Sequence, residues 1–225
     1  GSTDPPQPSE VLVVGLARND ESPRDQSEGD FAFFFDLEAD RFLSGTARVN
    51  NQVLDQSFLP GVKPGPLYFN TAGVVEGRKL QLVATIAGTD GTIEVTSDSV
   101  RVPTSFSLTI PTTHTIGQPL PISWGATPDA EQINISVGSG FETDVPASQR
   151  SFTIPASAFT GLTPGQTIEI EVSAFNVFYI SLATGISDVQ DAEAFAERFR
   201  TIDNINGAMG AFGAATTVGA LVALQ

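Results

Sequence analysis

Along most of this chain apolar side chains recur at every second residue, a period that builds strands and excludes amphipathic helices as the main element. The clearest run is Phe31, Phe33, Phe35, Leu37 and Ala39, interleaved toward its end with Asp36, Glu38 and Asp40. Such alternation predicts a strand with one face on a core and the other in solvent. A second run sets Ile168, Ile170, Val172 and Ala174 against outward neighbours Glu169, Glu171 and Ser173. Further strands are expected at residues 11–17, 45–50, 66–70, 78–87 and 92–102, and then at 106–110, 120–125, 133–137, 151–154 and 216–224. Gly88-Thr89-Asp90-Gly91 predicts a tight hairpin turn, because Asp-Gly supplies the positive φ that primed turns demand, and Pro103 stops the ladder that follows.

Frequent punctuation by 21 Gly and 15 Pro agrees with many short strands. Seven or so strands within roughly 95 residues is the density of an immunoglobulin-like sandwich, and the second half repeats that grammar. The expected architecture is therefore all-β, with two tandem β-sandwich domains at residues 10–103 and 104–225, each with its own core and no sheet crossing between them. Residues 1–9 read as a Pro-rich tether whose first two residues are a cloning remnant. One departure is expected inside the second domain. Ala192, Phe195, Ala196 and Phe199 recur at helical spacing behind Ser187 and Asp188, which predicts a short helix at about 188–200 inserted before the last strand. The uncharged run 208–224 is expected to return as a buried strand, since it falls short of a membrane-spanning length and is broken by Gly210, Gly213 and Gly219.

Composition narrows the chemistry. There is no Cys, which excludes disulfides, thiolate metal sites and cysteine nucleophiles, and only one His. The net charge is −15, from 26 acidic and 11 basic residues, and the halves 1–103 and 104–225 carry −7 and −8. With no clustered Lys and Arg, binding to nucleic acid or to anionic lipid is disfavoured.

The single imidazole, His114, sits in Pro111-Thr112-Thr113-His114-Thr115-Ile116-Gly117 and is expected on an exposed loop. Ser105, Ser107 and Ser123 are near it in sequence, but no Gly-x-Ser-x-Gly elbow accompanies them, so a Ser-His-Asp triad is not expected. Asp36, Glu38 and Asp40 would project from one strand face at about 7 Å spacing, which suits a hard cation such as calcium but cannot close its shell. The acidic stretch from Asn19 to Asp30 is expected as a loop able to curl about calcium, without the spacing of an EF-hand. No catalytic, metal or cofactor residue is therefore assigned, and no cofactor is expected.

Two resemblances add to this reading. Pro121-Ile122-Ser123-Trp124 and the stretch from Leu162-Thr163-Pro164-Gly165 to Val172-Ser173-Ala174-Phe175-Asn176 resemble the second strand, with its core Trp, and the later loop and sixth strand of a fibronectin type III domain. Ile168 stands where that family places its corner tyrosine. More widely, Glu10-Val11-Leu12-Val13-Val14, the hairpin ending at Pro103 and the close Asn204-Ile205-Asn206-Gly207-Ala208-Met209-Gly210-Ala211-Phe212-Gly213-Ala214-Ala215 resemble uncharacterised two-domain lipoproteins of Bacteroidota cell envelopes. That resemblance implies an outer-membrane-anchored or extracellular protein, held to the membrane only by an N-terminal lipid, and often encoded beside TonB-dependent transporters. The function expected is a non-enzymatic envelope binding or assembly module, accessory to an outer-membrane transporter, with an envelope protein or an extracellular glycan or peptide as partner. A structural spacer or adhesion pair is the alternative, and a carboxylate-dependent glycoside-active enzyme a distant one.

Overall fold

The computed structural model describes residues 10–23, 29–58, 66–70, 74–88, 91–138, 140–180, 198–199, 202 and 204–225. Among these the fold is all-β and sandwich-like. The first half supplies β1 (Val11–Glu21), β2 (Gly29–Asp36), β3 (Arg41–Phe42), β4 (Gly45–Val49), β5 (Gln52–Val53), β6 (Asp55–Phe58) and β7 (Pro66–Asn70). It continues with β8 (Lys79–Leu80), β9 (Leu82–Gly88), β10 (Gly91–Ser97) and β11 (Val100–Arg101). The second half supplies β12 (Leu108–Thr109), β13 (Thr113–His114), β14 (Leu120–Trp124), β15 (Gln132–Val137), β16 (Phe141–Pro146) and β17 (Ser151–Ile154). A 3-10 turn at Ala156–Phe159 precedes β18 (Thr167–Asn176), β19 (Ile205–Asn206) and the long β20 (Met209–Leu224).

The strands group into four sheets. The largest, ten-stranded, runs β16-β15-β18-β20-β1-β2-β7-β6, with β13 also on β20 and β3 on β2. A five-stranded sheet, β19-β10-β9-β4-β5, covers its first-half portion, and β12-β14-β17 covers its second-half portion. A short β11-β8 pair completes the set.

One continuous sheet thus crosses residues 103–104, contrary to the expectation that none would. The reason is β20. It runs parallel to β1 from Met209 opposite Leu12 to Val218 opposite Glu21, and antiparallel to β18 from Ala214 opposite Asn176 to Ala223 opposite Thr167. Ile205, Phe212 and Ala214, C-terminal in sequence, accordingly pack in the core of the first half beside Val13, Phe34, Leu82 and Ile86. A separate core lies under β12, β14 and β17, where Ile122 and Trp124 meet Ile133, Ile135, Ile170, Val172 and Val222.

The largest sheet is buried on both faces along β1 and β2, so the one-sided burial expected for the Phe31 run does not hold. Ala32 and Phe34 face the first core, while Phe31, Phe33 and Phe35 join Leu12, Val14 and Leu16 in another core on the opposite face. Phe178, Tyr179, Ile180 and Phe199 close that second face. The expected helix at 188–200 lies outside the described residues, apart from Arg198 and Phe199, which form a turn, and the tether 1–9 lies outside them too.

The entry of β20 into the sheet depends on glycine. Gly210 has φ +138°, and a Cβ there would overlap the backbone of Val13, including its carbonyl oxygen. Gly207, at φ +94°, is held as closely against the Glu94 carbonyl. Between them the Asn204 side chain reads the strand's backbone, donating to the Phe212 carbonyl at 2.8 Å and accepting the Phe212 N–H at 3.0 Å. Gly210→Ala is therefore expected to cost on the order of 3–5 kcal/mol, from a strained φ and displacement of β1. Urea denaturation monitored by Trp124 fluorescence measures this, and a loss below about 1 kcal/mol would contradict the close approach.

Candidate functional site

The structure relocates each chemistry-bearing residue that the sequence singles out. Asp36 is buried at the end of β2, where its Oδ1 accepts the Ala39 N–H at 2.9 Å and its Oδ2 faces Arg41 Nε at 3.5 Å. Glu38 and Asp40 lie in the tight turn that follows, with Asp40 at φ 50°, so the three carboxylates do not share a strand face. The Asn19 to Asp30 stretch is not one loop either. Asn19, Asp20 and Glu21 end β1 and Asp30 lies near the start of β2, while residues 24–28 are outside the described set. Among the described residues no three His, Asp or Glu side chains are placed to hold a metal ion.

His114 is not on an exposed loop. It forms β13 on the margin of β20, is 6% exposed, and its ring lies 4.3 Å from that of Phe159. Its Nε2 has no hydrogen-bond partner, so none of the neighbouring serines is positioned on it. Phe159 is buried as well. His114→Ala is expected to lower stability by about 2–3 kcal/mol through the cavity left beside Phe159. Equilibrium unfolding of the two proteins checks it; an unchanged midpoint would restore the surface reading.

Among the described residues, two clefts offer places for a ligand. One, of about 590 Å³, lies where the linker meets both halves, between Asp98–Arg101 and Pro128–Glu131. Its floor is structural. Asn176 Nδ2 donates to the Arg101 carbonyl at 2.7 Å and to the Asp129 carbonyl at 2.8 Å, and Val177, at φ 70°, donates its N–H to Glu131 at 3.0 Å.

The other cleft, of about 510 Å³, opens at the end of the first sandwich, between the β4–β5 turn and residues 74–80. Val49, Val74, Val75 and Leu80 give it apolar walls, and Asn51, Gln52 and Arg78 stand with them on its lining. Asp30, opposite Ala17 of β1 and Asn70 of β7, also lines it. Only 5% of Asp30 is exposed, and its Oδ1 has no hydrogen-bond partner. Asn50 is already committed, accepting the Gln81 N–H at 3.0 Å, which braces the turn against β9.

Burial pushes the Asp30 carboxyl up to about 7 from 3.8, with no cation among the described residues opposing it. Sequence reasoning missed this group by reading it as one more acid of a solvated loop, and the only available signal was its place one residue before the Phe31 run. Below about pH 3.8 the carboxyl is protonated in the folded and unfolded chains alike. Between there and about pH 7 only the unfolded chain ionises, so stability falls as pH rises, and above pH 7 the penalty is complete. Asp30→Asn removes the titration at the cost of an amide with unmet donors. The variant is expected to be more stable than the parent at pH 8 by on the order of 2 kcal/mol and to lose that advantage by pH 4. Thermal unfolding across this range measures it, and a constant difference between the two proteins would refute the assignment.

A scan of the chain against protein-family models gives no match, and a search of curated proteins gives none. No helix among the described residues is long and apolar enough to cross a membrane, and the uncharged run near the C-terminus is a strand.

Proposed function

We propose that this chain is a non-enzymatic binding or assembly module of the cell envelope, made of an immunoglobulin-like lobe and a fibronectin III-like lobe. The second assignment is supported by strand order: β12-β14-β17 faces β16-β15-β18-β20, three strands against four, with Trp124 between them. The envelope location, an N-terminal lipid anchor and service to an outer-membrane transporter rest on the resemblance of the Asn204–Ala215 close and the tandem organisation to Bacteroidota lipoproteins.

The observation that carries a binding role is the cleft at Asp30. It is of ligand size, lies where turns gather at a sandwich end, and combines apolar walls with a few convergent polar groups. A rigid scaffold carrying variable loops is the usual way such sandwiches hold a ligand. A structural spacer is the second reading, favoured by the shared sheet, which couples the two lobes.

The whole chain, immobilised through its N-terminus, is to be screened on glycan and peptide arrays beside the Asn51→Ala, Gln52→Ala double variant, and against a panel of glycosidase substrates. Retention of one ligand class, weakened at least tenfold in the variant and without turnover, is the expected result. Uniformly blank arrays favour the spacer, and turnover of a glycoside overturns the non-enzymatic reading.

A further inference from the structure

We propose that the cleft at the end of the first sandwich seats a primary alkylammonium group on Asp30 Oδ1, with the attached alkyl chain against Val49, Val74, Val75 and Leu80. This deepens the binding reading above and rests on it.

Asp30 Oδ1 is an unmet acceptor. A buried carboxylate oxygen without a donor is costly, and native structures supply it a partner from protein, water or ligand. Here the described residues supply none to Asp30 Oδ1. Among the described residues Arg78 is the one other charged residue on the lining, and none of their charges contributes to the shift of the Asp30 carboxyl, which burial causes. Arg18, next to Ala17, belongs to the opposite face of β1, where it pairs with Asp20 and Glu171. Asn70, the neighbour across β7, is uncharged. The position therefore calls for a donor from outside, and a charged donor forms roughly twice as strong a hydrogen bond as a neutral one.

The walls select among cations. A hard divalent cation such as calcium or magnesium needs about six or more oxygens, and among the described residues Asp30 is the only carboxylate on the lining. A quaternary ammonium is recognised by aromatic faces, and a sugar ring stacks on them, yet no aromatic residue among those described lines the cleft. Three valines and a leucine suit methylene groups instead. Val75, 54% exposed, is among the largest apolar side chains the surface leaves uncovered, and an alkyl chain entering over it would bury it. Two sources share this chemistry: a free alkylamine, and a lysine side chain presented by a peptide.

The test is calorimetric titration of the full chain at pH 8 with n-butylammonium, with Nα-acetyl-lysine methylamide and with 1-butanol as the neutral isostere. The expected result is saturable binding of n-butylammonium, at least tenfold weaker for 1-butanol. It should weaken about tenfold on moving from pH 8 to pH 6, as Asp30 takes up its proton, and at least tenfold in Asp30→Asn. Equal binding of the lysine derivative identifies a peptide source, and its exclusion a free amine. Butylammonium that fails to bind, binds no better than 1-butanol, or is indifferent to Asp30→Asn and to pH overturns the proposal. Array retention that still depends on Asn51 and Gln52 would in that case leave the binding module standing with a different ligand. The parent's pH profile keeps the question decidable even without the variant.

Discussion

Everything in this fold hangs on β20 having a hydrogen-bonded partner on each side. Between Ala214 and Val218 it pairs with β18 and β1 at once, so neither edge is free, and from Gly210 to Val218 both of its faces are buried. A strand in that position carries an unpaired charge only at high cost, and residues 208–224 carry no charge at all. It must also be thin, because two cores and the linker press on it. Small residues meet that need: Gly210, Ala211, Gly213, Ala214 and Ala215 let Phe178 and Val13 approach, while Thr216 and Thr217 bring hydroxyls that find partners. Thr216 donates to the Pro103 carbonyl at 2.6 Å, fixing the linker to the strand both halves share. The same demands produce the uncharged, glycine-broken run that in sequence resembles a weak membrane segment.

Most strands were legible because alternation survives wherever one face meets solvent. Pro66–Asn70 and Ser151–Ile154 fall where the period puts them, and β4, β14, β15 and β18 differ from their expected limits by one or two residues at an end. Legibility failed where a third layer covers the outer face. Phe31 to Asp36 reads as half-exposed, yet Phe178, Tyr179, Ile180 and Phe199 bury the second side, and no pattern within β2 announces a cover supplied so much later in the chain. The start of β20 was missed for a different reason, since Gly and Ala carry no period for the eye to follow. Its parallel pairing with β1 joins the two ends of the chain, a contact that local pattern cannot encode. The candidate site was the least legible part. Asp30 is one acid among 26, and what distinguishes it is the absence of a partner, a property of the folded surroundings alone.

Where the second face of the sheet runs out of apolar cover, charge enters the interior. Arg18 pairs there with Asp20 and lies 4.0 Å from Glu171 across β20, and Asp20 also accepts the Ser22 N–H at 2.8 Å. Burial pushes Glu171 above the ordinary carboxylate range, and Arg18 pulls it partly back. Ser173 and Thr217 hydroxyls meet at 2.8 Å beneath Tyr179, whose hydroxyl burial holds in its protonated form. Glu171 and Ser173, the outward neighbours of an alternating strand, are thus drawn into the joint, not left in solvent.

Such a cluster adds little net stability over an apolar filling of the same volume, because desolvation offsets most of the attraction. Its value lies in register. Asp20, Thr217, Ser173 and Asn134 stand in one row across four strands, and Asn134 continues it by donating to Glu142 and Asp144, each at 2.8 Å. A slip of β1 by one residue would turn Arg18 and Asp20 into the first core, and a slip by two would part Arg18 from Glu171. Strands as small-sided and uniform as β20 offer few other cues to their pairing. The polar row therefore fixes how the two lobes meet, and with it the position of the Asp30 cleft relative to the far end of the molecule.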